Sequence, residues 1–255
     1  MTATHDELTD PQRRGLRIEI VVVLAVTLGL SAYTALLQLI EAVLLGLAGQ
    51  RVALNPRRSP FDLIDLGLNL AVVFQLVAWG FLGVYLLWRS GFGPREIGLG
   101  RIRWKPDLLG GLGLAALIGL PGLGLYVAAR VLGLSASVEP AELYDTWWRI
   151  PVLLITAFAN GWAEEVIVVA FLLTRLRQLR VNPVAALLAS AVLRGAYHLY
   201  QGFSAGLGNV VMGLVFAYVW RRTGRLWPLV IAHGVIDSVA YVGYALAAGH
   251  LGWLS

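Results

Sequence analysis

Long apolar runs separated by short polar segments dominate the sequence. A helix needs about 20 predominantly apolar residues, with a range of about 17–25, to cross the hydrocarbon core of a bilayer. Seven runs of roughly this kind cover residues 18–49, 62–88, 108–132, 147–175, 183–200, 206–220 and 226–248. The pattern therefore predicts an all-α fold, a polytopic transmembrane helix bundle of about seven spans.

The fifth and sixth runs are the least regular. The fifth is short, and Gly202, Gly206 and Gly208 interrupt the connection between the two. A tilted hairpin or a partly re-entrant pair fits this stretch as well as two full spans. Asn182-Pro183, at the start of the fifth run, is typical of a helix stop and restart.

Basic residues near the helix ends test this count, because Arg and Lys concentrate on the cytoplasmic side of a membrane. With the N-terminus inside, 14 of the 20 basic residues fall on the inner side and five on the outer side, while Arg194 lies within a span. The inner set is Arg13, Arg14, Arg17, Arg89, Arg95, Arg101, Arg103, Lys105, Arg175, Arg177, Arg180, Arg221, Arg222 and Arg225. The outer set is Arg51, Arg57, Arg58, Arg130 and Arg149. We therefore expect the N-terminus inside and the C-terminus outside.

Composition supports a multi-pass protein of the cell inner (plasma) membrane. Hydrophobic residues make up 58% of the chain and charged residues 14%, whereas about 25% of the residues of a soluble domain are charged. The first apolar run is too long for the core of a signal peptide, which spans about 7–15 residues. We expect residues 1–17 to form a cytoplasmic tail and residues 18–250 a single transmembrane domain. The net charge of +5 follows from topology, so the expected environment is the lipid bilayer and no nucleic acid is expected as a partner.

Six ionisable residues of the fourth, fifth and seventh predicted spans are candidate functional groups. Glu164 and Glu165 are neighbours in an apolar run, where one acidic residue at a helix centre costs about 2.5–3.5 kcal/mol and usually marks function. Neighbours on a helix point about 100° apart, so we expect only one of the two to aim squarely at any given centre. The other four are Arg194, His198, His233 and Asp237.

The spacing of these four residues pairs them on helix faces. Arg194 and His198 are four residues apart, as are His233 and Asp237, and residues four apart lie on one face of a helix. Three helices thus carry groups that lipid would reject. The least costly arrangement gathers them around one hydrated pocket.

Two carboxylates and two imidazoles suit hydrolysis by activated water. A carboxylate removed from water can act as a general base, while His shares protons or stabilises an oxyanion. Glu164, His198 and His233 would also form a three-ligand catalytic zinc site, assembled from three helices. The chain has no cysteine, so thiolate catalysis is excluded and any metal would need nitrogen and oxygen ligands.

The order of these residues resembles the CPBP intramembrane proteases, the family of the CAAX prenyl endoproteases and the bacterial Abi proteins. The family motifs are E-E-x-x-x-R, F-x-x-x-H and H-x-x-x-Asn or Asp. Here they correspond to residues 164–169, 194–198 and 233–237, and the resemblance extends over about 147–245.

The resemblance implies an intramembrane endopeptidase that hydrolyses a peptide bond of a membrane-associated peptide or protein. It implies Glu164 as the base that activates water and His198 as the residue that positions this water or shares its proton. His233 and Asp237 would stabilise the oxyanion or bind the substrate carbonyl, and Glu165 would be a structural or tuning partner. The family is described both as glutamate-type and as metal-dependent, so zinc stays open as a cofactor.

The chain departs from the family pattern at two positions. Val169 stands where the first motif has Arg, and Arg194 stands where the second has Phe. We hypothesise that the guanidinium has moved, so that Arg194 pairs with Glu165 from the adjacent helix and supports the pocket. The alternative is a branch with altered or absent catalysis.

Two other functions fit an intramembrane Glu/His cluster. One is a proton-coupled transporter, since such residues form proton relays, although the chain shows no inverted repeat or matched pair of broken helices. The other is a catalytically silent scaffold of the same fold. Shared-site chemistry requires Glu164, His198 and His233 to converge within about 10 Å, because acid-base partners must meet directly or through one water.

Overall fold

The structure is a computed structural model that describes residues 8–139 and 146–243. These residues are predominantly helical, and each of the seven predicted runs corresponds to a helix. The helices are α1 Asp10–Leu45, α2 Asp62–Arg89, α3 Trp104–Val131, α4 Arg149–Gln178, α5 Pro183–Ala196, α6 Phe203–Thr223 and α7 Trp227–Gly243. The predicted helical class is confirmed, and the end of the last predicted run, residues 244–248, lies outside the described residues.

The predicted count of about seven spans is not confirmed by the described residues. Five helices, α1, α2, α3, α4 and α6, are long and apolar enough to cross a membrane, whereas α5 and α7 are shorter. Helix α5 is short for a full span, and α7 reaches the last described residue, Gly243. The orientation of the termini stays a prediction.

The first helix begins earlier than its apolar run. Thr9 caps it in a reciprocal capping box with Gln12, and Pro11 occupies the first turn, which satisfies backbone N–H groups that have no partner within the helix. Residues 10–17, predicted as part of a cytoplasmic tail, are therefore helical.

A helical hairpin forms from α5 and α6. Asn182 caps α5 by accepting hydrogen bonds from the backbone N–H groups of Val184 and Ala185, as expected for a helix restart at Asn182-Pro183. The chain then turns at Gly202, which has φ of +110° and lies so close to Ser135 that a Cβ atom would be 2.9 Å from the Ser135 Cα. This geometry matches the hairpin alternative for the fifth and sixth runs.

A two-stranded parallel sheet joins two of the segments that connect helices. The sequence did not predict this sheet. Strand β1, Arg51–Ala53, follows α1 and pairs with β2, Ser137–Glu139, which follows α3. Three-residue strands carry too little periodicity to be recognised in a sequence. The chain just before β2 also pairs with the turn after α5 through a bridge between Ser135 and Gly202.

Helix α4 is the centre of the bundle. Its apolar window is 67% buried, against 17–39% for the other long helices, and it packs against α2 and α7. The two helices approach closely at Gly161, where a Cβ atom would lie 3.1 Å from both the backbone N of Gly234 and the carbonyl oxygen of Val230. Small residues permit such close approach between membrane helices, and this one brings the polar residues of α4 next to those of α7.

A buried arginine fixes the far end of α4. Arg175 is fully buried; its Nε lies 2.7 Å from Glu19 Oε1 of α1, and its Nη2 donates to the Leu86 carbonyl and to Ser90 Oγ at the end of α2. The ion pair and hydrogen bonds satisfy a charge that would otherwise be costly to bury. This end of α4 is thus tied to two other helices.

Candidate active site

The two glutamates lie in the middle of α4, where the backbone changes from an α-helix to a π-helix. The α-helical part ends at Glu164, and residues Glu165–Phe171 form the π-helical stretch. Both carboxylates are buried. π-helical turns within α-helices are rare and frequently occur at functional sites, because they shift the direction of the side chains around them.

Arg194, near the end of α5, faces both carboxylates. Its Nη2 lies 2.7 Å from Glu165 Oε1, while its Nη1 lies 3.7 Å from Glu164 Oε2. The guanidinium is fully buried and lies over the ring of Phe216 at 5.6 Å from the centroid. The hypothesised contact between Arg194 and Glu165 is therefore present in the structure, and the pairing is markedly unequal between the two glutamates.

Val169 does not contribute to this charge pair. It is fully buried in the π-helical stretch among apolar residues of the core. The guanidinium that contacts Glu165 comes instead from Arg194 of the neighbouring helix α5.

His233 of α7 lies between the two glutamates. Its Nδ1 is 2.7 Å from Glu165 Oε1, and its Nε2 is 3.6 Å from Asp237 Oδ2 and 3.9 Å from Glu164 Oε2. An ionised carboxylate only accepts hydrogen bonds, so we assign a proton to Nδ1 that is donated to Glu165. The Nε2 atom then faces the space between Glu164 and Asp237.

Only one glutamate makes close contacts with Arg194 and His233, as expected for neighbours on a helix. Glu165 lies 2.7 Å from both partners, whereas Glu164 lies 3.7 and 3.9 Å from them. The onset of the wider π-helical turn at Glu165 changes the angle between the two side chains from that of a regular α-helix.

His198 lies beyond the helix that carries Arg194. Helix α5 ends at Ala196 with Tyr197 as its C-cap, so the two residues do not share a helical face as predicted. The His198 Nδ1 lies 3.0 Å from the Arg194 carbonyl oxygen, its ring centroid is 4.7 Å from that of Tyr197, and it interacts electrostatically with Glu164 and His233. The turn therefore brings His198 to the same pocket.

Two hydrogen-bonding residues of the pocket were missed in the sequence. Tyr197 donates a hydrogen bond to Glu164 Oε2 at 2.5 Å, and the Asn160 amide donates to Glu164 Oε1 at 3.1 Å and to Asp237 Oδ2 at 2.9 Å. A usable signal existed for Asn160, because it lies four residues before Glu164 and shares its helix face. Tyr197 adjoins His198, but aromatic residues are common in membrane helices and its role depends on the turn that ends α5.

Exposure increases across the pocket from one side to the other. The side chain of Glu165 is fully buried, those of His233 and Glu164 are 3% and 5% exposed, and that of Asp237 is 16% exposed. Asn160 and His198 are also only partly buried. The site therefore opens on the side of Asp237, Asn160 and His198.

The arrangement does not fit the three-ligand zinc set. Among the residues that the structure describes, no group of three or more His, Asp or Glu side chains is placed to hold a metal ion. Each oxygen of Glu164 already accepts a hydrogen bond, from Asn160 or Tyr197. The Arg194 cation 3.7 Å from Glu164 also opposes a second cation. Glu164, His198 and His233 are thus neighbours without forming the metal site that the sequence left open.

Comparison with known proteins agrees with the motif order. Residues 146–239 match a family model described as type II CAAX prenyl endopeptidase Rce1-like. No curated protein and no solved structure matches the chain. The matched range contains the π-helical stretch, the α5–α6 hairpin and all six ionisable pocket residues. Residues 146–239 therefore form a CAAX-protease-like domain of the CPBP intramembrane protease family, within a multi-pass membrane protein.

Proposed function

We propose that this protein is a glutamate-type intramembrane endopeptidase and that Glu164 is its general base. The unequal pairing of the two glutamates carries the proposal. Arg194 makes its close ion pair with Glu165 and lies 3.7 Å from Glu164. The charge of Glu165 is therefore balanced locally, while Glu164 faces the more exposed side of the pocket and is available to a water molecule.

In the proposed reaction, Glu164 takes a proton from water as the water oxygen attacks the carbonyl carbon of the scissile peptide bond. His198 positions this water or shares its proton. The tetrahedral oxyanion is stabilised by His233 through Nε2, and Asp237 orients this imidazole or binds the substrate. The proton held by Glu164 then passes to the leaving nitrogen, the C–N bond breaks, and a carboxylic acid and an amine are released.

Glu165 has a supporting part in this mechanism. It accepts the Nδ1 proton of His233 and pairs with Arg194, so it holds the imidazole in one orientation. A carboxylate behind an imidazole orients the ring and favours its protonated form. Substitution of Glu165 should therefore impair both stability and catalysis.

The proposed substrate is a membrane-associated peptide or protein. The site lies in the middle of a helix long enough to cross a membrane, and the partly exposed residues Asp237, Asn160 and His198 give it one open side. Substrate would enter from that side, with its peptide bond between Glu164 and His233.

The test is cleavage of a peptide library by the purified protein in detergent and in liposomes. Glu164→Gln should reduce the rate about 10²–10⁴-fold with the unfolding temperature nearly unchanged. Glu41→Gln is the matched control, because Glu41 is an exposed carboxylate in α1 and its loss should leave cleavage intact. Equal cleavage by Glu164→Gln and the unsubstituted protein would overturn the proposal; proton-linked flux in sealed vesicles without cleavage would instead identify a transporter.

A further inference from the structure

The carboxylate of Glu164 is held at both oxygens by neutral donors. Oε2 accepts the hydroxyl hydrogen of Tyr197 at 2.5 Å, and Oε1 accepts from the Asn160 amide at 3.1 Å. Tyr197 must be the donor in its contact, because an ionised carboxylate has no hydrogen to give. The nearest cation, Arg194, makes its close contact with Glu165.

The two donors come from different elements. Asn160 precedes Glu164 by one turn of α4, whereas Tyr197 is the C-cap of α5 and is 5% exposed. A glutamate side chain has several rotatable bonds and loses much conformational freedom when it is fixed. One donor on its own helix and another on a neighbouring helix together restrict both the position and the rotation of the carboxylate.

We propose that Tyr197 is a positioning residue for Glu164, whose hydroxyl aims the carboxylate at the substrate and favours its charged form. This inference rests on the proposed role of Glu164 as general base. Tyr197 acts through Glu164 and makes no contact with the reacting peptide bond. A hydrogen bond to the charged form of an acid favours that form, so loss of the hydroxyl should require a higher pH to generate the base.

The substitution Tyr197→Phe isolates this hydroxyl. It keeps the ring that packs beside His198 and leaves every charged neighbour of Glu164 in place. The titratable groups that face Glu164 from α5 and its following turn, from α4 and from α7 are Arg194, His198, Tyr200, Glu165, His233, Asp237 and Tyr241. A change in pH dependence is therefore attributable to the lost hydrogen bond.

The experiment measures the pH dependence of kcat/KM for the full chain and for Tyr197→Phe, with Tyr218→Phe as control. Tyr218 lies on α6 and is 57% exposed, so its hydroxyl is remote from the site. We expect the acid limb for Tyr197→Phe to move to higher pH by about one unit, since a hydrogen bond to a charged group has about this effect. An unchanged acid limb, with or without a uniform loss of rate, would overturn the proposal.

Infrared pH titration separates this inference from the proposed function. The Glu164 carboxyl band is assigned by its loss in Glu164→Gln, and its titration midpoint is compared between the unsubstituted protein and Tyr197→Phe. A midpoint about one unit higher in Tyr197→Phe supports the hydrogen bond even if no peptide is cleaved, in which case only the proteolytic function fails. An identical midpoint overturns the role of Tyr197 whether or not the protein is a protease.

Discussion

Arg194 of α5 and Glu165 of α4 form an ion pair of 2.7 Å, and neither side chain is exposed. Such a pair is a weak source of net stability, because both charges lose their hydration, but removal of one partner leaves an uncompensated buried charge. Glu165 Oε2 and Arg194 Nε also lack hydrogen-bond partners within the described chain. The pair is therefore more important for fixing α5 against α4 than for the stability it adds.

Removal of this arginine should destabilise the fold. We expect Arg194→Leu to lower the free energy of unfolding by about 3–5 kcal/mol, because Glu165 remains buried and charged. Addition of Glu165→Gln should recover a substantial part of that loss by removing the charge. Unfolding in detergent, followed by circular dichroism, measures both effects. The interpretation would be contradicted if the loss of unfolding free energy in the double variant equalled the sum of the losses in Arg194→Leu and in Glu165→Gln.

The exchanged motif positions give a second prediction. Arg194→Phe restores the aromatic residue of the second family motif but removes the guanidinium that contacts Glu165. Added Val169→Arg returns a guanidinium to α4, at the place the first motif has it. We expect the double variant to recover activity or folding that Arg194→Phe loses, measured by peptide cleavage and by yield of folded protein. If no recovery occurs at all, the relocation hypothesis fails.

Chelation should leave the proposed cleavage unchanged. The pocket combines hydrogen-bonded glutamate oxygens with a nearby arginine, an environment that does not suit a divalent cation. Cleavage of the best library peptide is measured after dialysis against a chelator, then again after zinc is returned. Loss of cleavage on dialysis with return on addition of zinc would show that the side chains rearrange around a metal.

The close contact between α4 and α7 should be sensitive to a single methyl group. Gly161→Ala would place a Cβ atom 3.1 Å from the backbone of Gly234 and from His233 Cβ, so the helices must separate slightly. We expect kcat to fall by about 10²-fold, because small misplacements of catalytic groups have effects of this size, while the protein still folds.

The matched control is Gly113→Ala in α3, where a Cβ atom would meet no atom within 4 Å. This variant should keep full activity and a similar or higher unfolding temperature, since Ala favours the helix over Gly. Equal loss of activity in both variants would indicate that the effect of Gly161→Ala is not specific to the contact with α7.

Much of the fold could be predicted from the sequence, because helices are indicated by local patterns of residues. Apolar run length located all seven helices, and the Asn182-Pro183 pair marked a helix start through its side-chain cap. Run length alone did not reveal that α5 stops at Ala196, with Tyr197 as its C-cap. The short strands depend on contacts between distant connections, which local patterns do not encode.

Only the ionisable residues of the site could be predicted from the sequence. Ionisable residues within apolar runs are costly, so Glu164, Glu165, Arg194, His233 and their partners attract attention in any membrane sequence. Tyr197 and Asn160 carry no charge. The hydrogen bond from Tyr197 to Glu164 depends on the packing of α5 against α4, whereas the one from Asn160 lies along one face of α4. The π-helical stretch left no signal because its residues are uniformly apolar after Glu165.

The π-helical stretch divides α4 into two halves whose side-chain faces do not follow a single α-helical register. An i→i+5 turn holds one residue more than an i→i+4 turn, so the half that ends with Glu164 and the half that contains Arg175 are offset from one continuous α-helix. If the same residues formed one continuous α-helix, the extra residue would rotate one half relative to the other by about 100°. Either Glu165 would turn away from Arg194, or Arg175 would turn away from Glu19. The number of residues between these two anchors is therefore a constraint on the chain as strict as the identity of the glutamates.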